Sequence, residues 1–347
     1  MSSHRIANEG LLILPHLRIQ NANAISSPLT HGFPSVTAFM GLTWALERKL
    51  AAEGVGLGFV ATGVISHHHQ EQVNEDYVNT FHLTRNPVNE KGATAAIVEE
   101  GRMHLDITLV FAMVWNPDDT HGNVLRHGME EARQALANRI ADMASVGRIA
   151  GGSVLPSQPA PGRRIRPQLL ALPEDTEQRA RQFRRLRRQW LPGFALVGRD
   201  DLLQQRTQQL QSHNGSATTL DAWLDLSRFN WRAKSLPDGG IPPNGKAEWH
   251  HDRPEGSGWI VPIPVGYGAL SDAPHEAGSV ANARDSDTPF RFVESLYSIG
   301  QWVSPHRLND VDQLLWYTGS RPAEGVYRGH NDYRPAGDTH NTTSTVD

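Results

Sequence analysis

The residues in this chain best suited to chemistry are neutral ones. Between an apolar run, Leu11 to Leu17, and a helix-like pattern beginning near Ser35, the sequence reads IQNANAISSPLTHGFPSVTAF over Ile19 to Phe39. Asn21, Asn23, Ser26, Ser27, Thr30, His31 and Ser35 supply donors and acceptors there, and no Lys, Arg, Asp or Glu accompanies them. Such a loop, ending at a helix N-terminus, is suited to holding phosphates or base edges without a large positive charge. The first turn of the helix turns unpaired N–H groups and the positive end of its dipole toward the ligand.

Positive charge is concentrated elsewhere. Arg179, Arg181, Arg184, Arg185, Arg187 and Arg188 follow the acids Glu174, Asp175 and Glu177. At helical spacing Ala180, Phe183, Leu186 and Trp190 share one face, and Arg181, Arg184, Arg185 and Arg188 share the other. A face of this kind fits phosphate contacts, with a steep salt dependence. It fits equally an acidic protein partner or a solvated helix, and the sequence leaves RNA, DNA and protein open.

His67, His68 and His69 look like metal ligands but are consecutive, so a strand puts only His67 and His69 on one face. Two ligands without a matching carboxylate do not make a structural site, and a polar rim on a hairpin arm is expected instead. Gly151 and Gly152, close after Arg148, permit a close backbone approach to a ligand. They lack the spacing and the Lys of a phosphate loop. His16, His31 and His306 are isolated candidates for proton transfer. No GxSxG, HExxH or paired-carboxylate motif is present. No cofactor, metal or catalytic residue is expected.

The chain has 347 residues, 38% hydrophobic and 20% charged, enough for one large core or two modest ones. It has no cysteine, which excludes disulfides, thiol chemistry and cysteine-ligated zinc. The net charge of −4 means that any nucleic-acid contact relies on local positive charge or on other subunits. The N-terminal apolar run is too short for a signal peptide or a spanning helix, so a soluble, cytoplasmic protein with no membrane partner is expected.

The elements that position these residues follow from periodicity. Leu11–Gln20 reads as a strand, and Ser35–Leu50 as a helix with Ser35 as N-cap. Phe59–His67 reads as a strand, and Asn79–Arg85 with Ala93–Val98 as an excursion around the tip Asn86–Gly92. His104–Trp115 reads as a central strand, Val124–Ala144 as a helix and Arg148–Leu155 as a strand. That order is close to the β-α-β-β-α-β of a ferredoxin-like sheet, which also serves RNA-recognition modules. Beyond it the pattern predicts a strand at QLLAL, helices over Glu174–Trp190, Arg199–Gln211 and Ser216–Leu226 (Thr219 as cap), and a strand over Leu191–Val197. A proline-bearing edge strand is expected over Gly258–Tyr267, a helix over Pro289–Val303, and a disordered polar tail from Arg328.

Six stretches carry a family resemblance: IQNANAISSPLTHGFPS (Ile19–Ser35), LTRNPVNEKGATAAIVEEGR (Leu83–Arg102), IAGGSVLP (Ile149–Pro156), LPGFALVGRDDLLQQ (Leu191–Gln205), WIVPIPVGYGALS (Trp259–Ser271) and VANARDSDTPFRFVESLYSIGQWVSPHRL (Val280–Leu308). Through them the chain resembles the Cas-five-type RAMP protein that forms the second subunit of type I-F CRISPR surveillance complexes, the Csy complex. The match runs from about residue 10 to residue 328; the histidine triplet is not a feature of the family.

The resemblance implies an α+β fold: a ferredoxin-like, RNA-recognition-like RAMP core over about 10–155, with a protruding β-hairpin thumb over about 68–102. Further helices and strands follow over about 156–328, then a tail over 329–347. It implies a non-catalytic subunit that holds the 5′ handle and first guide nucleotides of a CRISPR RNA. The subunit would form a heterodimer with the large subunit, meet an adjoining backbone subunit, and support recognition of double-stranded target DNA. The RNA-binding residues it points to are Asn21, Asn23, Ser26, Ser27, Thr30, His31 and Ser35 in the loop, and Arg85, Asn86 and Arg102 at the thumb and its base. Arg148, Gly151 and Gly152, with Arg284 and Arg291 in the NARDSDTPFRF motif, complete the set. A relative in another CRISPR subtype cleaves repeat RNA, so an endonuclease with His31 or His306 as base is the alternative. A pure protein-interaction subunit is a third reading.

Overall fold

The computed structural model describes residues 9–85, 88–94, 97–115, 128–158, 160–229, 231–233, 249–251, 253, 258–283 and 285–335. Its centre is one antiparallel sheet of eleven strands. In chain order these are β1 (Gly10–Asn23), β2 (Leu57–Glu71), β3 (Arg102–Trp115), β4 (Arg148–Ile149), β5 (Gly152–Leu155), β6 (Gln168–Ala171), β7 (Phe194–Gly198), β8 (Trp259–Ala269), β9 (Val293–Val303), β10 (Trp316–Thr318) and β11 (Val326–Asn331). The described helices are α1 (Val36–Ala52), α2 (Glu130–Ser145), α3 (Thr176–Gln189), α4 (Asp200–His213) and α5 (Thr219–Ser227), with three one-turn helices near the C-terminus.

The strands run β4-β5-β1-β3-β2 and continue β7-β9-β8-β11-β10. The last of these returns to β2, with Trp316 opposite Thr62 and Tyr317 opposite Ala61. One edge of β2 thus pairs with β3 along its length, while β10 and β7 share the other edge end to end. A flat half and a closed ring have β2 as their common wall.

Alternation along the strands explains the layers. Leu12, Leu14, Leu109, Phe111 and Met113 face α1 and α2, meeting Phe39, Leu46, Leu136 and Ile140. Leu11, Ile13, Val110, Ala112 and Ile65 face the other way, under Phe183, Leu186 and Trp190 of α3. Each fully buried large side chain here contributes about 1.5–3 kcal/mol. Met40 and Val36 of α1 reach the ring residues Leu196, Val265 and Trp316. α4 and α5 cover β8 and β9 through Leu203, Trp223 and Leu226.

Three expectations are corrected. Pro289–Val303 is not a helix: its second part is β9, hydrogen-bonded on both sides by β7 and β8. A strand enclosed in this way is buried on both faces at Ser298–Gln301, so its apolar residues do not alternate and their spacing mimics a helix. The cap of α5 is Thr218, in a reciprocal pair with Asp221, rather than Thr219. The body also does not end at Arg328. β11 runs to Asn331, whose amide donates to Gln313 O and Leu315 O, and Tyr333 is buried. The polar residues that suggested disorder are instead satisfied by the ring; residues 336–347 lie outside the described residues. Among the described residues no helix is long and apolar enough to cross a membrane.

Candidate nucleic-acid interface

Three distant segments converge at the start of α1. Ser35 caps that helix, its hydroxyl accepting from Thr37 N at 3.3 Å and donating to Pro264 O at 3.2 Å. Beside it, the β4–β5 hairpin turns at Ala150 and Gly151, both at positive φ. From the ring comes Tyr267 of β8, its hydroxyl 3.4 Å from Thr37 Oγ1, with its ring stacked on Tyr327 of β11. Together they enclose an open groove of about 480 Å³, lined among others by Asn23, Ser26, Ser35, Arg148, Gly151, Tyr267 and Tyr327. Arg148 is exposed and is the one charged residue among those lining it. The groove therefore offers a cation, a helix N-terminus, neutral polar groups and a flat aromatic surface, which are the means by which single strands are held.

Ser26 and Pro34 also line a second recess of about 240 Å³, with His31, His69, Glu71, Trp259 and Trp302. The two hollows share these two residues of the loop. The second one reaches the base of the excursion between β2 and β3. That excursion forms two short ribbons, Val73–Asn74 with Thr80–Phe81 and Leu83–Arg85 with Ile97–Glu99, and Tyr77 and Val78 stand fully or largely exposed on it.

A family model described as CRISPR-associated protein (Cas_Csy2) matches residues 12–329. The chain belongs to the Csy2 family. CRISPR-associated protein Csy2 of Pseudomonas aeruginosa strain UCBPP-PA14 is 44% identical over 330 residues, covering 92% of this chain and 94% of that relative. Membership ties the chain to type I-F CRISPR defence, as a component of a Csy complex.

Within this Csy2 fold the expected residues divide. Asn23, Ser26, Ser35, Arg148 and Gly151 meet in the groove. Asn21 is exposed at φ 58°, its N–H donating to His104 Nδ1. Asn23 spends part of its amide on Ile25, accepting from its N–H and donating to its C=O. Ser27 and Thr30 point inward: they are buried and bond each other at 2.6 Å, with Ser26 joining Thr30 at 2.8 Å. Buried hydroxyls need partners, and these find them across the tight turn. His31 is exposed, 3.0 Å from Glu71 and edge-on to Phe81 of the excursion.

Gly152 is buried. A Cβ there would lie 2.7 Å from Ala22 N and Gln20 O, so its close approach is to β1 and not to a ligand. Arg102 is held by Glu100. Arg291 donates to Asp272 O at 3.1 Å and Pro322 O at 3.4 Å, tying two loops together. Asn86, Arg284 and the Arg85 side chain lie outside the described residues.

The histidine run divides too. His67 points under the sheet, where Nδ1 donates to Pro192 O and Nε2 accepts from Thr108, both at 2.8 Å. It stacks on His16, which is bonded to Asp106, and Arg163 takes the other Asp106 oxygen. Burial pushes His67 below the ordinary histidine value, against the opposing hydrogen bond to Pro192. His306 bonds Ser304 Oγ at 2.8 Å. Among the described residues no group of three or more His, Asp or Glu is placed to hold a metal.

Sequence reasoning missed Tyr267 and Tyr327. The signal for Tyr267 lay in WIVPIPVGYG, where an aromatic follows two prolines near a strand edge. For Tyr327 there was no local signal: it stands at the end of the expected body, and the rest of its strand, Arg328 to Asn331, read as tail.

Proposed function

We propose that this chain is a non-catalytic, RNA-binding subunit of a type I-F CRISPR surveillance complex that holds the 5′ handle of the guide RNA. The observation that carries this reading is the groove itself. Asn23, Ser26, Arg148 and the Tyr267–Tyr327 pair come from four separate parts of the chain and converge on one open channel. Splayed bases stack on the tyrosines, their edges meet Asn23 and Ser26, and a phosphate meets Arg148 and the start of α1.

The core around the groove is ferredoxin-like in this reading. What supports it is the order β5-β1-β3-β2, all antiparallel, with α1 and α2 on one face. In RNA-recognition modules the opposite face stacks bases, but here α3 covers much of it, so RNA is taken at the edge instead. The exposed excursion between β2 and β3 is the thumb that meets the guide–target duplex. The large subunit and the adjoining backbone subunit complete the site, which suits a chain of net charge −4.

The test is co-purification with the large subunit and a guide carrying or lacking the handle, for the native chain and for Arg148→Glu with Tyr267→Ala. Handle-dependent assembly is expected, with the double variant at least about tenfold weaker for handle RNA, two contacts of roughly 1 kcal/mol or more being lost. Equal recovery without the handle overturns the reading. Incubating the native chain with repeat RNA in EDTA separates it from the endonuclease: specific cleavage lost in His31→Ala or His306→Ala would assign catalysis.

A further inference from the structure

The groove leaves the arginine helix unused. α3 lies across the sheet from α1 and α2, so its outer face looks away from the side on which α1 packs. Its arginines divide by direction. Arg179 turns inward to Asp312 and is buried, and Arg187 donates to Leu308 O at 2.5 Å. Arg181, Arg184, Arg185 and Arg188 are exposed. Arg181 is shared with Glu177, while no hydrogen-bond or ion-pair partner is seen among the described residues for Arg184, Arg185 or Arg188. The acids of the helix stay at its other end, where Asp175 caps and accepts from Gln178 N at 2.8 Å. Compensation of the helix dipole accounts for cations in the last turn but not for Arg184 and Arg185 in the middle.

A second group of arginines lies beside β6, the strand that α3 contacts. Arg163, Arg164 and Arg166 line a recess of about 470 Å³ with Gln134 and Gln168. Gln168 is bonded to Gln189 at the end of α3 at 3.1 Å, and Gln182 of the same helix to Ala171 O at 3.0 Å, so β6 joins the recess to the helix. Arg163 is committed to Asp106, and the one acid in the recess, Glu130, is met by Arg133. Arg164 and Arg166 are exposed.

We infer that Arg164, Arg166, Arg184, Arg185 and Arg188 form a binding surface for the phosphate backbone of double-stranded DNA, separate from the handle groove. Charge complementarity selects a polyanion. The outer face of α3 carries no aromatic for stacking, which selects a duplex over a single strand: Phe183, and Trp190 that caps the helix, are buried under it. Positions 184 to 188 span just over one helical turn, about 6 Å, so neighbouring guanidinium groups meet successive phosphates along one strand. No base edge is read, so binding is independent of sequence, as a protein needs when a guide supplies the specificity. The biological setting rests on the proposed function; the surface itself does not.

The test uses the purified full chain and its guide-loaded complex, a 30-base-pair duplex unrelated to the guide, and free handle RNA. The quintuple Arg→Gln variant at 164, 166, 184, 185 and 188 is compared with the quintuple Arg→Lys variant and the native chain. For the Gln variant the plot of log affinity against log salt is expected to flatten by about 3–5 units, with duplex affinity at least about tenfold weaker at low salt. The Lys variant retains most of the slope, and handle RNA binds all three alike. Duplex affinity and slope unchanged in the Gln variant overturn the inference. So does loss of the large subunit with duplex binding intact, which assigns the face to a protein. Handle binding that is absent from the native chain, with the duplex effect present, overturns the proposed function and leaves this surface standing.

Discussion

At the scale of residues, the buried His67 bears on stability. His67 is held neutral between a carbonyl and a hydroxyl, with His16 stacked on it and Asp106 and Arg163 beyond. Its folded-state affinity for a proton lies below the ordinary value of 6.5. Below that pH the unfolded chain binds a proton that the folded chain refuses, so stability that is present above it is lost as pH falls toward the folded value. Thermal denaturation across this window is expected to show a falling midpoint on the acid side, and His67→Gln a shallower fall. A slope that His67→Gln leaves unaltered would refute this assignment. His330, also lowered by burial, acts in the same direction and keeps the variant from becoming flat. None of this was legible in HHH, because a sequence does not say which of three adjacent rings a strand irregularity between Ser66 and His68 turns inward.

At the scale of elements, the legible parts were those governed by local rules. Ser35 was read as a cap and is one, and the two faces of α3 fall where helical spacing puts them. What failed depended on neighbours. β9 lost its alternation by being enclosed on both sides, and β11 is held by side-chain bonds to residues far away in sequence. Gly152 shows both effects: the need for a small residue was visible, but not that β1 was the surface approached. Gly152→Ala forces a Cβ against the β1 backbone and is expected to cost about 1–3 kcal/mol in chemical denaturation. Gly215→Ala, with nothing within 4 Å, is the matched control and is expected to be near neutral. Equal midpoints for the two would defeat the packing argument.

At the scale of the molecule, one strand belongs to both halves. β2 closes the ring through β10 and β7 and carries the flat half through β3. The halves are therefore expected to unfold together. Gly266→Val places a side chain 2.0 Å from Tyr327 O and separates β8 from β11. If the ring is integral, circular dichroism will lose helix and strand signal in one lowered transition. Two transitions, one at the native temperature, would mean that the flat half stands alone. The candidate groove was half legible for the same reason: its loop side lies in contiguous sequence, while its tyrosine side exists only once the ring has closed. The continuity of β2 has a mechanical side as well. It runs from the ring at Ala61 to Glu71, where the exposed excursion begins, and β3 pairs with it on both sides of the irregularity between Ser66 and His68. The ladder of β2 with β3 ends at Glu71 and Met103, so the excursion is anchored on the body at that root, as a cantilever is. A load that arrives at that root is borne as shear in the backbone hydrogen bonds of β2 and β3, and β2 carries it on to the ring.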